Sequence, residues 1–144
     1  MKVFIYKTIE GNVCVGTSVS EDVEHVAKIT VPINTEFFIV ESESLPSEPQ
    51  DAWVLQEDGQ IKIDQQKLIE FNRKNMPQLT PIEFDTKLNQ NGLYDAVQEL
   101  IKDNFEMRIA YNRATFFSRT ASFIDQARIA LGLTNEQIDA IWIS

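Results

Sequence analysis

"KNMPQLTPIEF", Lys74 to Phe84, is where the hydrophobic pattern of the chain changes period. Pro77 cannot continue a helix arriving from upstream, because it lacks an N–H and its ring clashes with the preceding turn. Thr80-Pro81 then supplies an N-cap and a proline at the first helical position, where that N–H is not needed. Before this stretch the apolar residues mostly alternate, and after it they recur at three- and four-residue steps. The break predicts an α+β chain, a small antiparallel N-terminal sheet followed by a C-terminal helical bundle. Residues 1–76 form a small α+β module with two β-hairpins and a trailing helix, and residues 77–144 form an all-helical module.

Upstream, Val3 and Ile5 precede Gly11-Asn12 and Val13, Val15 and Thr17 follow, which predicts a hairpin around a Gly-Asn turn. Ser20 is the expected N-cap of a short helix running through about Lys28, with Glu21, Asp22 and Glu24 favouring its dipole and Pro32 ending it. The continuous run Phe37-Phe38-Ile39-Val40 reads as a strand covered on both faces, or partly by a neighbour. Ala52 to Leu55 and Gln60 to Ile63 flank Glu57-Asp58-Gly59 as a second hairpin, and Asp64 caps a helix over Gln65–Lys74.

Downstream, helical spacing is expected throughout: Ile82, Phe84 and Leu88 up to Gly92, then Leu93, Ala96, Val97, Leu100 and Ile101, then an arginine-rich helix over Phe105 to Arg119. Phe123, Ile124, Ala127, Ile129, Ala130 and Leu131 lead to Gly132 as a C-terminal cap. Thr134 and Gln137 make a capping box for the last helix, whose Ile138, Ile141 and Trp142 share a stripe.

Composition excludes some classes of function. Net charge is -9, from 13 basic and 22 acidic residues, so a duplex phosphate backbone is not an expected ligand. No apolar run reaches the ~20 residues that span a bilayer, and the N-terminal segment lacks a signal-peptide core, so a soluble cytoplasmic protein is expected. With a single cysteine, Cys14, there is no intrachain disulfide, and its place between Val13 and Val15 suits a buried inert thiol. His25 is the sole histidine and lies among acidic residues, as a surface side chain. The five glycines sit at turns and caps, so no phosphate-cradling loop is present. No catalytic residue, metal ligand or cofactor is assigned.

Contact residues remain. Arg108, Arg113 and Arg119, with Tyr111, Phe116 and Phe117, form a basic and aromatic segment in an acidic chain. Arginine and aromatics carry most interface energy, so Arg108, Arg113, Phe117, Trp53 and Trp142 are the candidate partner-binding positions. Trp53 and Trp142 serve equally well as core.

The patterns "LTPIEFDTKLNQNGLYDAV", "RIAYNRATFFSR" and "ALGLTNEQIDAIW" resemble the helical C-terminal module of small bacteriophage and prophage proteins associated with tail or tail-fibre genes. "SLPSEPQDAWVLQEDGQIKID" resembles the companion segment of similar proteins, so the likeness covers most of Leu45 to Ser144, while the first 44 residues match no such pattern. The resemblance implies a non-enzymatic protein of tail or tail-fibre assembly. Its partner would be a tail or fibre subunit or a second copy, and its location the host cytoplasm or the virion tail.

A rival reading starts from charge. No basic residue lies between Lys28 and Lys62, while Glu36, Glu41, Glu43, Glu48, Asp51, Glu57 and Asp58 do. Glu41, Glu43, Glu48 and Asp51 would then mimic nucleic acid and occupy the basic surface of a host defence protein.

Overall fold

The computed structural model describes residues 1–144 and separates into two compact units, Met1–Phe71 and Asn72–Ser144. The break falls inside a helix rather than at Pro77. Arg73, in the last turn of that helix, is held by Asp139 and Glu136 of the second unit, which explains the earlier boundary.

In the first unit, β1 (Lys2–Lys7) is the centre of a three-stranded antiparallel sheet, with β2 (Val13–Gly16) on one side and β3 (Phe37–Glu41) on the other. The β1–β2 turn uses Gly11 at φ 89, and Thr8 and Asn12 close it with a 2.8 Å backbone bond. Helix α1 (Val23–Thr30) covers one face, where Val23, Ala27 and Val31 cluster around Phe4. Its N-cap is Asp22, not Ser20. The Asp22 carboxylate accepts from the His25 N–H at 3.0 Å, while the Ser20 hydroxyl is spent one step earlier on the Asp22 N–H.

The opposite face carries buried Val3, Ile5 and Val13. A second, two-stranded sheet of β4 (Trp53–Leu55) and β5 (Ile61–Ile63) pairs Trp53 with Ile63 and Leu55 with Ile61. Gly59, at φ 83, turns this hairpin under the Phe38 ring. The run Phe37–Val40 is thus an edge strand with half-buried phenylalanines. It is apolar on both sides because α1 shields one and the Gly59 turn touches the other.

Helix α2 (Gln65–Lys74) starts at Asp64, whose carboxylate accepts from the N–H groups of Gln66 and Lys67. The second unit continues with α3 (Pro81–Gln90), α4 (Tyr94–Lys102), α5 (Phe105–Arg113), α6 (Ser122–Ala130) and α7 (Asn135–Ile143). Capping boxes open α3 (Thr80 with Glu83) and α7 (Thr134 with Gln137). Gly132 at φ 66 ends α6, with the Leu133 N–H returning to the Arg128 carbonyl in a Schellman closure.

The expected helix over Phe105–Arg119 stops at Arg113. The chain beyond it is extended, and Phe117 exchanges two backbone bonds with Leu79 (2.7 and 2.9 Å). The stretch around Pro77 is therefore built into the module: Leu79 and Phe117 are both buried in a core with Phe84, Leu88, Val97, Ile101, Phe123 and Trp142. Phe84 and Phe117 stack with ring centres 4.1 Å apart. Pairing with Leu79 satisfies the Phe117 backbone groups that leaving the helix frees.

Candidate functional site

The candidate contact residues divide by burial. Trp142 is 3% exposed, and its indole N–H donates to the Pro77 carbonyl at 2.7 Å. Trp53 is buried in the first unit, its indole donating to the Glu48 carbonyl at 2.8 Å. Phe117 lies among Phe84, Tyr111 and Phe123. These three positions are core, because each offers a large apolar area whose burial stabilises its own unit. They are corrected as surface contacts.

Arg119 is also inside. Its Nε donates to Asp139 at 2.7 Å, while Arg73 Nε approaches the same carboxylate at 2.9 Å. Asp139 is thus the acceptor shared by two guanidiniums. Its mate across the chain gives no sequence signal, since Arg73 and Asp139 are 66 residues apart.

Arg108 and Arg113 stay at the surface of α5. Asn104 caps this helix by accepting from the Met107 N–H at 3.0 Å, and Met107 and Tyr111, one turn apart, face the core. The opposite side presents the exposed Phe105 and Arg113, with the half-buried Arg108 on the flank three residues after Phe105. Phe105 is 67% exposed, and the Arg108 guanidinium lies 5.5 Å from its ring centre while donating to the Lys102 carbonyl at 2.9 Å. Phe116, just beyond the helix, is also exposed. The sequence reading passed over Phe105; a helical projection that puts Met107 and Tyr111 inside would have found it.

Behind α5, the Tyr111 hydroxyl donates to Asp85 and accepts from Gln98 Nε2 at 3.2 Å. Burial first, then the Asp85 carboxylate, pushes the phenol well above its ordinary range.

The acidic candidates split in the same way. Glu43 and Glu41 hold the Met1 ammonium at 3.0 and 3.5 Å. Glu43's own backbone N–H, then Met1, lower its carboxyl below the usual range, and the Glu43 bond raises the Met1 amine. Glu48 and Asp51 are exposed and engage no basic group. Cys14 is half-buried opposite Tyr6 rather than fully enclosed, and His25 is exposed on α1.

No group of three or more His, Cys, Asp or Glu side chains is arranged to hold a metal ion, and no helix is long and apolar enough to cross a membrane. An apolar space of about 30 Å³, bordered by Phe84, Leu88, Phe123, Ile138 and Trp142, has room for little more than a water molecule. Comparisons with protein-family models, curated proteins and solved structures found no match.

Proposed function

We propose that this chain is a non-enzymatic bacteriophage or prophage protein that works by protein–protein contact in tail or tail-fibre assembly, with the outer face of α5 as its contact surface. The observation that carries this reading is the exposed Phe105 with the half-buried Arg108 over its ring, and the exposed Arg113 two turns further along a helix whose other side is anchored in the core. An exposed aromatic covered by an arginine combines residue types that dominate binding energy. Arg108 is already fixed by the Phe105 ring and the Lys102 carbonyl, so little side-chain entropy is lost when a partner covers it. The phage assignment rests on the resemblance of the helical half to tail-associated proteins. It puts the protein in the host cytoplasm during assembly and admits the virion tail as its final location.

The test is affinity capture of the tagged protein from phage-producing cells, with bound proteins identified by mass spectrometry. Tail or fibre subunits support the proposal. A host nuclease or other defence protein overturns it in favour of the acidic reading, which the exposed Glu48 and Asp51 support and which requires steeply salt-sensitive binding.

A further inference from the structure

The two edges of the three-stranded sheet are finished differently. In an antiparallel pair, alternate residues bond across the ladder and the others turn their N–H and C=O groups outward. On the β2 side, the Thr8–Asn12 bond sets this alternation, and with the β1–β2 register it turns Val13 outward. That edge is partly closed: the Gln50 side-chain amide donates to the Val13 carbonyl at 2.5 Å.

On the β3 side, the Ser42 N–H donates to the Met1 carbonyl at 2.7 Å, and the register pairs Val3 with Val40 and Ile5 with Phe38. Phe38 and Val40 therefore bond to β1, and Phe37, Ile39 and Glu41 turn their backbone groups away from it. The Glu41 carbonyl is taken by the Ser44 hydroxyl at 2.6 Å. The outward N–H and C=O groups of Phe37 and Ile39 have no partner.

Edges of this kind are usually blunted by lysine, proline or a bulge, and β3, with the sequence FFIVE, has none of these. Ile39 is 38% exposed. The charges at the two ends of the strand are Glu36 and Glu41, both exposed, and Glu43 follows. Against these three carboxylates stand the Met1 ammonium and, on β1, Lys2 opposite Glu41; no lysine or arginine lies on β3 itself or elsewhere between Lys28 and Lys62.

We infer that the free edge of β3 is a docking site for an extended segment of another protein, added as a fourth strand, with lysine or arginine toward both of its ends and apolar residues between. The backbone of Phe37 and Ile39 supplies the pairing, and Glu36 and Glu41 select the charge. A second copy of this chain is the disfavoured occupant, since each copy brings a net charge of -9 and the same acidic strand ends. This site lies in the first unit and does not depend on the α5 surface.

The experiment uses the full chain, isotope-labelled, and a capped peptide with lysines flanking a valine–threonine–valine centre. Two control peptides accompany it, one with glutamate for lysine and one with the backbone N-methylated at alternate positions. Without peptide, the amides of Phe37 and Ile39 exchange quickly and those of Phe38 and Val40 slowly. Saturating lysine peptide slows the first two by about tenfold or more, an effect that added salt weakens. Neither control peptide does this. Ile39→Pro, at a position whose N–H faces outward, keeps the fold and loses the effect. The inference is overturned by any of three results: the lysine peptide leaves Phe37 and Ile39 unchanged, the N-methylated peptide binds as well, or protection of these amides rises with protein concentration alone.

Discussion

The indole N–H of Trp142 donates to the carbonyl of Pro77 at 2.7 Å, across 65 residues. The last helix thereby fastens the stretch between α2 and α3 to the core of the second unit. Trp142 buries a large ring against Phe84 and places its one polar atom on a proline-flanked carbonyl. Trp142→Ala is expected to cost about 3–5 kcal/mol, and Trp142→Phe, which leaves the Pro77 carbonyl without its donor, about 1–3 kcal/mol. Denaturant melts of the two variants check the order; a Trp142→Phe variant as stable as the wild type would show that the hydrogen bond contributes nothing.

Asp139 gives a second prediction. Arg119 is 5% exposed and Arg73 is 14% exposed at the side chain, and both bond this one carboxylate. Removing it in Asp139→Ala leaves the buried Arg119 without a charge partner and Arg73 with only the exposed Glu136, at about 3–5 kcal/mol. Asp139→Leu should be no better, since the positive charges remain, whereas Asp139→Asn keeps an acceptor and should lose less. Thermal unfolding of the three variants measures this.

Gly16 sits directly opposite Phe4 in the sheet, and a Cβ there would lie 2.0 Å from the Phe4 ring. Phe4 is 1% exposed and enclosed by α1, so the ring has nowhere to go. Gly16→Ala is expected to destabilise the first unit by about 1–3 kcal/mol through overpacking. In this variant the amide exchange of β1 should accelerate while that of α6 stays unchanged.

Stability should fall at both ends of the pH scale for identifiable reasons. The Thr80 backbone N–H, then its hydroxyl, donate to Glu83 at 2.8 and 2.9 Å and lower its carboxyl below the ordinary 4.5. That stabilisation is complete above pH 4.5 and is lost as pH falls through the folded-state value. Tyr111 behaves oppositely: its phenol is raised, so above pH 10 the unfolded chain ionises while the folded one resists, and stability declines with rising pH. Tyr111→Phe should flatten the alkaline limb and Glu83→Gln the acid limb of a stability–pH curve.

The hairpins were legible because Gly11-Asn12 and Asp58-Gly59 state their turn chemistry locally, and the caps Asp64, Thr80 and Thr134 do the same for their helices. Asp22 was missed for Ser20 because two good caps stand two residues apart, and only the geometry of the first turn chooses between them. The helix expected through Arg119 failed for a non-local reason. Phe116 and Phe117 fit helical spacing, but the Leu79 backbone competes for Phe117, and that pairing joins distant parts of the sequence. The proposed contact surface was half legible. Residue type alone nominated Trp53, Phe117 and Trp142 together with Arg108 and Arg113, and burial, which residue type does not encode, removed the first three.

The central claim is that the outer face of α5 makes the functional contact. The most direct measurement compares affinity capture from phage-producing cells by the wild-type chain and by a Phe105→Ala, Arg113→Glu double variant, after thermal melts have shown the two to be equally stable. The account predicts that tail or fibre subunits come down with the wild type and are lost, by about tenfold or more, with the variant. Undiminished capture by a variant that folds normally would contradict it.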